Sequence, residues 1–267
     1  MRLIKSALIV IFVALLALFA FSEYRTRSMG ISDGPVIIVD DTIHEISVND
    51  PKSLLLDGVT AHDAQDGDLT AEIEISGISR LLSDNSAEVS YIVFDSNDNM
   101  ATATRRFKYT DYSRPKISLD SPLIFKSENT SGLISHFSAT DVIDGDISDR
   151  VRISSLVPTS DSDIYYVSVL VSNSMGDSAK LKLPVIIADS AAPSVTLSSY
   201  LEYVNVGDSV DASSFISSVT YGGEALSKDS VKITGELDTS TPGTYYIFYE
   251  CTQNELVGRA ALTVSVR

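Results

Sequence analysis

Two kinds of hydrophobic pattern divide this chain. From Ala7 to Phe21 the residues are apolar without interruption and leave no polar face, which predicts a single N-terminal helix. Beyond it, short stretches alternate. Val89, Tyr91 and Val93 share one phase, and Val167, Val169 and Val171 repeat it. "ATATRRFKYT" (101–110) and "VGRAALTVSV" (257–266) read the same way. Turn residues break the pattern about every 8–12 residues, at Asp57-Gly58, Asp66-Gly67-Asp68, Ser76-Gly77 and Asn97-Asp98-Asn99. No long amphipathic helix follows the N-terminal one to serve as a crossover between parallel strands. The predicted fold is therefore all-β, built from antiparallel sandwiches behind one N-terminal membrane or signal helix.

The alternating part is written three times. Repeat one runs from Pro35 to Tyr112, repeat two from Ser113 to Asp189, and repeat three from Ser190 to Arg267, with residues 1–34 as the targeting segment and a short linker. Asp66-Gly67-Asp68 returns 78 residues later as Asp144-Gly145-Asp146, and Asp95 returns at the same offset as Asn173. Two independent landmarks with one offset argue against a chance repeat of the first two units, and the strand pattern of the third completes three tandem immunoglobulin-like domains. Their junctions, "YTDYSRP" and "IADSAAP", both end in proline. They are too short to act as flexible tethers, so neighbouring domains are expected end to end at restricted angles.

The apolar run, with Leu3 and Ile4 around Lys5, is close to the length that spans a bilayer core of ~30 Å. A basic N-terminus orients that end inward, and Lys5 can extend its amine to the headgroups. Two readings follow. A cleaved signal peptide would use Ala20-Phe21-Ser22, whereas bulky Phe19 and Phe21 favour an uncleaved anchor. In either case the rest of the chain is expected outside the membrane: single-pass at the cell membrane with an extracellular C-terminal part, or secreted.

Charge narrows the partners. The chain carries −16, and −18 without the two cations Arg2 and Lys5. So acidic a surface repels nucleic acid and anionic lipid. Its one cysteine, Cys251, alternates with Ile247 and Tyr249 as a strand residue and is expected to be a small buried apolar group.

Taken together, "LLLDGVTAHDAQDGDLTAEIEISG" and "VSYIVFDSNDNMATATRRF" resemble the bacterial immunoglobulin-like repeats named after a pesticidal crystal protein and, more distantly, hyaline repeats. The family pattern G-V-x-A-x-D-x-x-D-G-D-L-T is matched by Gly58-Val59, Asp63 and Asp66 to Thr70. Its second half is matched by Tyr91, Asp95 and Asn99. Repeat two keeps Ala139, Asp141 and Asp144 to Ile147, but has Asn173 and Asp177 at the second landmark. Repeat three keeps "PGTYYIFYECTQN" and reads "TYGGEAL" in place of Asp-Gly-Asp. The resemblance covers nearly all of residues 35–267. It implies a non-catalytic extracellular stalk, adhesion or interaction module of a bacterial surface protein, with a protein or envelope glycan as partner. Tyr200, Tyr203 and Tyr221 are the aromatic candidates for a glycan platform in a chain without tryptophan.

Three chemistries suit the repeated aspartates. A carboxylate pair can act as acid and base, but Asp66 and Asp68 sit in a solvated turn with nothing to raise one pKa. Asx turns around a left-handed glycine explain the motif without a ligand, with Leu69 and Ile147 plugging the core. Calcium, bound by six to eight oxygens, is the third. The D-x-[DN]-x-[DN]-G-x5-E loop of helix-flanked calcium sites is not present. A sandwich nevertheless gathers the two acidic loops at one end. In repeat two this would assemble Asp141, Asp144, Asp146, Asn173 and Asp177 with Asp111 of the linker, as an interdomain ion. In repeat one the set is Asp63, Asp66, Asp68, Asp95 and Asp98. No other cofactor is implied, and no nucleophile or phosphate-loop motif points to an enzyme.

Overall fold

The computed structural model describes residues 11–22, 34–126 and 132–267. Residues 11–22 are helical, with exposed Ile11, Phe12, Leu15, Phe19 and Phe21. No helix among the described residues is long and apolar enough to cross a membrane. The start of the apolar run, residues 7–10, and the linker 23–33 lie outside the described residues.

The chain divides into two compact units, residues 1–110 and 111–267. The first holds one seven-stranded sandwich. Its strands are β1 (Val36–Ile38), β2 (His44–Ile46), β3 (Thr60–Asp63), β4 (Gly67–Asp68), β5 (Glu74–Ile78), β6 (Ser86–Phe94) and β7 (Met100–Tyr109). They form a three-stranded sheet, β1-β3-β4, and a four-stranded sheet, β2-β7-β6-β5.

The second unit holds two further copies. The second repeat comprises β8 (Lys116–Leu119), β9 (Ile124–Phe125), β10 (Phe137–Asp141), β11 (Gly145–Asp146), β12 (Arg152–Pro158), β13 (Ile164–Ser172) and β14 (Ser178–Ile187). The third comprises β15 (Ser194–Leu197), β16 (Leu201–Val204), β17 (Ile216–Tyr221), β18 (Glu224–Ala225), β19 (Lys232–Thr234), β20 (Gly243–Gln253) and β21 (Leu256–Val266). Each repeats the arrangement of three strands over four: β8-β10-β11 over β9-β14-β13-β12, and β15-β17-β18 over β16-β21-β20-β19. The fold is thus three tandem immunoglobulin-like sandwiches.

One pairing departs from a fully antiparallel sandwich. The second strand of every copy runs parallel to the last, as in His44 beside Phe107, Ile124 beside Ile186 and Leu201 beside Thr263. Parallel neighbours need a long crossover, and here the rest of the sandwich supplies it without a helix. Fine detail recurs as well. The β5–β6 ladder slips between Ile75 and Gly77, and β12–β13 slips between Ile153 and Ser155, 78 residues on. In each the bulged serine, Ser76 or Ser154, donates its hydroxyl to a carbonyl of the facing strand, Ser90 or Ser168, at 3.1 Å.

Alternation places the cores. Val167, Val169 and Val171 of β13 pack with Ile117, Ala139, Ile147 and Leu183, and Ile247, Tyr249 and Cys251 of β20 pack with Val195, Val219, Leu262 and Val264. Cys251 is fully buried, with its thiol 3.6 Å from the Ser230 hydroxyl.

The second and third repeats are not joined end to end. The middle of β14 is buried at four successive residues, Leu183 to Ile186, and β21 at five, Ala260 to Val264. A strand with only one face in a core alternates, so these two are covered on both faces. The second cover is the other repeat. Leu183, Pro184 and Ile186 meet Tyr200, Ala261 and Thr263 around a residual void of about 10 Å³, at the lower limit for one water. Ile124 packs onto the third core and Leu201 onto the second.

Polar contacts run the length of this seam. Tyr203 Oη donates to the Ile117 carbonyl at 2.7 Å, and Tyr246 Oη to the Lys182 carbonyl at 3.0 Å. Arg259 meets Asp161 at 3.4 Å and Asp163 at 3.2 Å, while its Nε donates to Glu250 at 3.0 Å. A short linker limits the distance between domains and leaves the angle free. Apolar residues on the outer faces of β14 and β21 fix the angle here.

Candidate functional site

The acidic motifs form a turn built the same way in both repeats. Asp63, the last residue of β3, turns Oδ1 back to accept the Gln65 and Asp66 amides at 2.7 and 2.9 Å. Asp141 does the same for Ile143 and Asp144 at 2.9 and 3.1 Å. Gly67 and Gly145 follow with φ of +79° and +73°, a left-handed conformation that glycine adopts without strain.

The next acid reaches across to the loop joining the two long strands. Asp66 Oδ2 accepts the Ser96 amide at 2.7 Å and Oδ1 its hydroxyl at 2.9 Å. Asp144 takes the same two bonds from Ser174, at 2.6 and 2.7 Å. The expectation that both acidic loops lie at one end of the sandwich is met through these serines. Sequence reading passed over them, although Ser96 and Ser174 keep the 78-residue offset.

The third acid has a local task. Asp68 and Asp146 accept the amides of Thr70 and Ser148 at 2.9 Å, pinning the 3₁₀ turns Thr70–Glu72 and Ser148–Arg150. The Thr70 hydroxyl, then its amide, hold the Asp68 carboxyl below its usual range, and the Ser148 hydroxyl and amide do so for Asp146. A general acid needs the opposite shift.

At the second landmark the two repeats diverge. Asp95 accepts the amides of Asn97 and Asn99 on Oδ1, both at 2.8 Å, and the Asn99 side-chain amide on Oδ2 at 2.7 Å. That side-chain bond is the main cause of its lowered pKa. In the second repeat the acid and the amide trade places. Asn173 Oδ1 accepts the Asp177 amide at 2.9 Å, freeing its Nδ2 to donate to Asp141 Oδ2 at 3.1 Å. Tyr112 closes this network. Its hydroxyl donates to Asp177 at 2.8 Å and accepts from Asn173 at 2.9 Å. Burial and the Asp177 carboxylate push its pKa well up.

One grouping of three carboxylates arises among the described residues. An oxygen each of Asp63, Asp66 and Asp95 lies within 4.8 Å of the others. Asp68 and Asp98 lie outside this group. Asp98 instead takes φ of +63° in the loop, where the second repeat has Gly176 at +77°. The set Asp111, Asp141, Asp144, Asp146 and Asp177 forms no such group among the described residues. Its charges are met by the Asn173 amide on Asp141, by Arg150 on Asp144, and by Arg114 3.5 Å from Asp177.

The third repeat dispenses with the device. Gly222-Gly223, with φ of +59° and +89°, and Asn254-Glu255, with φ of +49° and +68°, close both hairpins as two-residue turns. Asn254 joins the turns by donating to the Tyr221 hydroxyl at 3.1 Å. Of the tyrosines considered as a glycan platform, Tyr203 donates to the Ile117 carbonyl at the seam, Tyr200 accepts the Leu197 amide, and Tyr221 accepts from Asn254.

No protein-family model matches the chain, and no curated protein matches it. Solved structures similar to it include the M60 catalytic domain with two CBM51 domains of ZmpB from Clostridium perfringens, at 14% identity over 87% of this chain and 30% of that one, with a TM-score of 0.24. The extracellular domain of protocadherin gammaB4 is similar at 14% identity over 87% of this chain and 49% of that one, with a TM-score of 0.22. The chain thus spans less than half the length of these structures.

Proposed function

We propose that this chain is a non-catalytic interaction module of a bacterial cell surface, tethered by its N-terminal apolar segment with the three sandwiches outside the membrane. The observation that carries the reading is the seam between β14 and β21. Repeats that serve only as spacers gain reach by joining at their ends. Here two sandwiches give up reach to become one compact unit. The resemblance of residues 35–267 to bacterial surface repeats supports the same reading.

The partner is a protein or an envelope glycan. At one end of the seam, five charged residues, among them Lys126, Asp163 and Arg259, and five apolar ones, among them Ile186 and Leu256, line an open cavity of about 460 Å³. Such a mixed lining suits a ligand that offers hydroxyl or charged groups together with an apolar face.

The test is protease treatment of intact cells expressing the full chain with a C-terminal epitope tag. The tag should fractionate with membranes, or with the medium if the segment is cleaved, and should be lost to protease without lysis. A tag protected until the cells are broken would end the reading. A glycan array and a cross-linking pull-down then separate the two partner classes.

A further inference from the structure

The buried carboxylate at the centre of the acidic turn is treated differently in the first two repeats. In the second, Asp141 Oδ2 receives the Asn173 amide at 3.1 Å. In the first, the corresponding atom is Asp63 Oδ2. Asp63 is only 2% exposed, and this oxygen has no hydrogen-bond partner among the described residues. The residue that would have donated to it is replaced by a second carboxylate, Asp95, itself 6% exposed.

The surroundings change in the same sense. Arg150, which pairs with Asp144, corresponds to Glu72 in the first repeat. Tyr112, which closes the second network, corresponds to Gly34, where even a Cβ would stand 3.1 Å from Asn99. One exchange runs the other way, Asn99 for Asp177, but Asp177 has the Tyr112 hydroxyl and Arg114 beside it. A buried carboxylate oxygen facing other carboxylates with neither donor nor counter-charge is costly, and native structures meet such an oxygen with a donor, a cation or a proton.

We propose that the first repeat binds one divalent cation, calcium by preference, between Asp63, Asp66 and Asp95, in the place the second repeat gives to the side-chain amide of Asn173. The three oxygens lie within 4.8 Å of one another. Oxygens on opposite sides of a calcium ion, each at 2.3–2.6 Å, are about 5 Å apart, so the spacing fits. The bonds from Ser96 to Asp66 and from Asn97 and Asn99 to Asp95 do not exhaust these oxygens, because each has two lone pairs. Magnesium demands a tighter octahedron and sheds water reluctantly, which sets the preference.

The experiment uses the full chain in detergent, stripped with chelator, then titrated calorimetrically with calcium or magnesium chloride and melted in each. One calcium per chain should bind with a Kd on the order of 10⁻⁴ to 10⁻³ M. At 100 Kd of calcium the folding equilibrium shifts roughly 100-fold, several degrees in melting temperature, over sodium chloride of equal ionic strength. The double variant Asp95→Asn/Asn99→Asp, which exchanges the acid and the amide as in the second repeat, should abolish that shift. If it does not fold, Asp66→Asn must weaken calcium binding at least tenfold. No calcium-specific shift would overturn the proposal. A shift that survives in the double variant, or an unchanged Kd in Asp66→Asn, would overturn it in favour of a general effect on an acidic surface.

Discussion

The Tyr203 hydroxyl donates to the Ile117 carbonyl at 2.7 Å, bonding β16 of the third repeat to β8 of the second. Two cations stand over its ring, with Lys116 Nζ 5.0 Å and the Arg267 guanidinium 3.7 Å from its centre. Losing the hydroxyl in Tyr203→Phe should cost about 1 kcal/mol, and Tyr203→Ala about 3–5 kcal/mol. In urea unfolding the two repeats should melt together in wild type, and Tyr203→Ala should split them into two transitions.

Alkaline pH should act on the seam. Burial raises the pKa of Tyr203, and burial with the neighbouring Tyr166 pushes Tyr246 up to about 12. In the unfolded chain a tyrosine ionises near 10. Above that pH the unfolded state sheds protons that the folded state keeps, so stability falls as pH rises. The contribution of Tyr246 should be intact below about pH 10 and lost through about pH 12. Melting temperatures across pH 8–12 should show this decline, reduced in Tyr246→Phe.

Arg259 serves three carboxylates, Glu250, Asp161 and Asp163. Arg259→Gln removes the shared cation and leaves the acids facing one another. A loss of about 1 kcal/mol is expected at low ionic strength. The difference from wild type should narrow in 1 M sodium chloride, because salt screens exposed charges.

Asp141→Ala withdraws the acceptor for the Ile143 and Asp144 amides and for the Asn173 side chain. Orphaned donors at a buried turn cost about 1–3 kcal/mol each where water cannot replace the acceptor. Chemical unfolding should place this variant at least 2 kcal/mol below wild type, a cost set by desolvation.

Gly258 lies where β21 passes Pro193, and a Cβ built there would stand 1.7 Å from the Pro193 carbonyl oxygen. No rotamer relieves a clash made by Cβ itself, so the backbone must move. Gly258→Ala should cost roughly 3 kcal/mol or more and lower the soluble yield. A variant as stable as wild type would mean the strand has room to shift.

The acidic motif carried much of this in its spelling. Its 78-residue return marked the first two repeats, and alternation in β6 and β13 gave the core faces. The loop contact between Asp66 and Ser96 was implied by sandwich topology, but its partner was not, because a serine after an aspartate is common in any turn. The side-by-side packing left a trace that alternation obscured. "LPVI" in β14 and "AALTV" in β21 are runs without a charged residue and, apart from Thr263, apolar throughout, the mark of strands covered on both faces. The difference between Asp95 and Asn173 was also visible, but its meaning depends on which oxygen the amide reaches.

Lateral packing has a mechanical consequence. The chain doubles back at "IADSAAP", so Arg114 and Pro115, near the start of the second unit, line one cavity with Ser265 and Arg267 at its finish. Tension applied between those two points pulls on neighbouring ends of the seam. It opens β14 from β21 progressively, one contact at a time, instead of shearing all the contacts together. Tyr203 and Arg267, at the pulled end, meet the force first, and Arg259 at the far end meets it last.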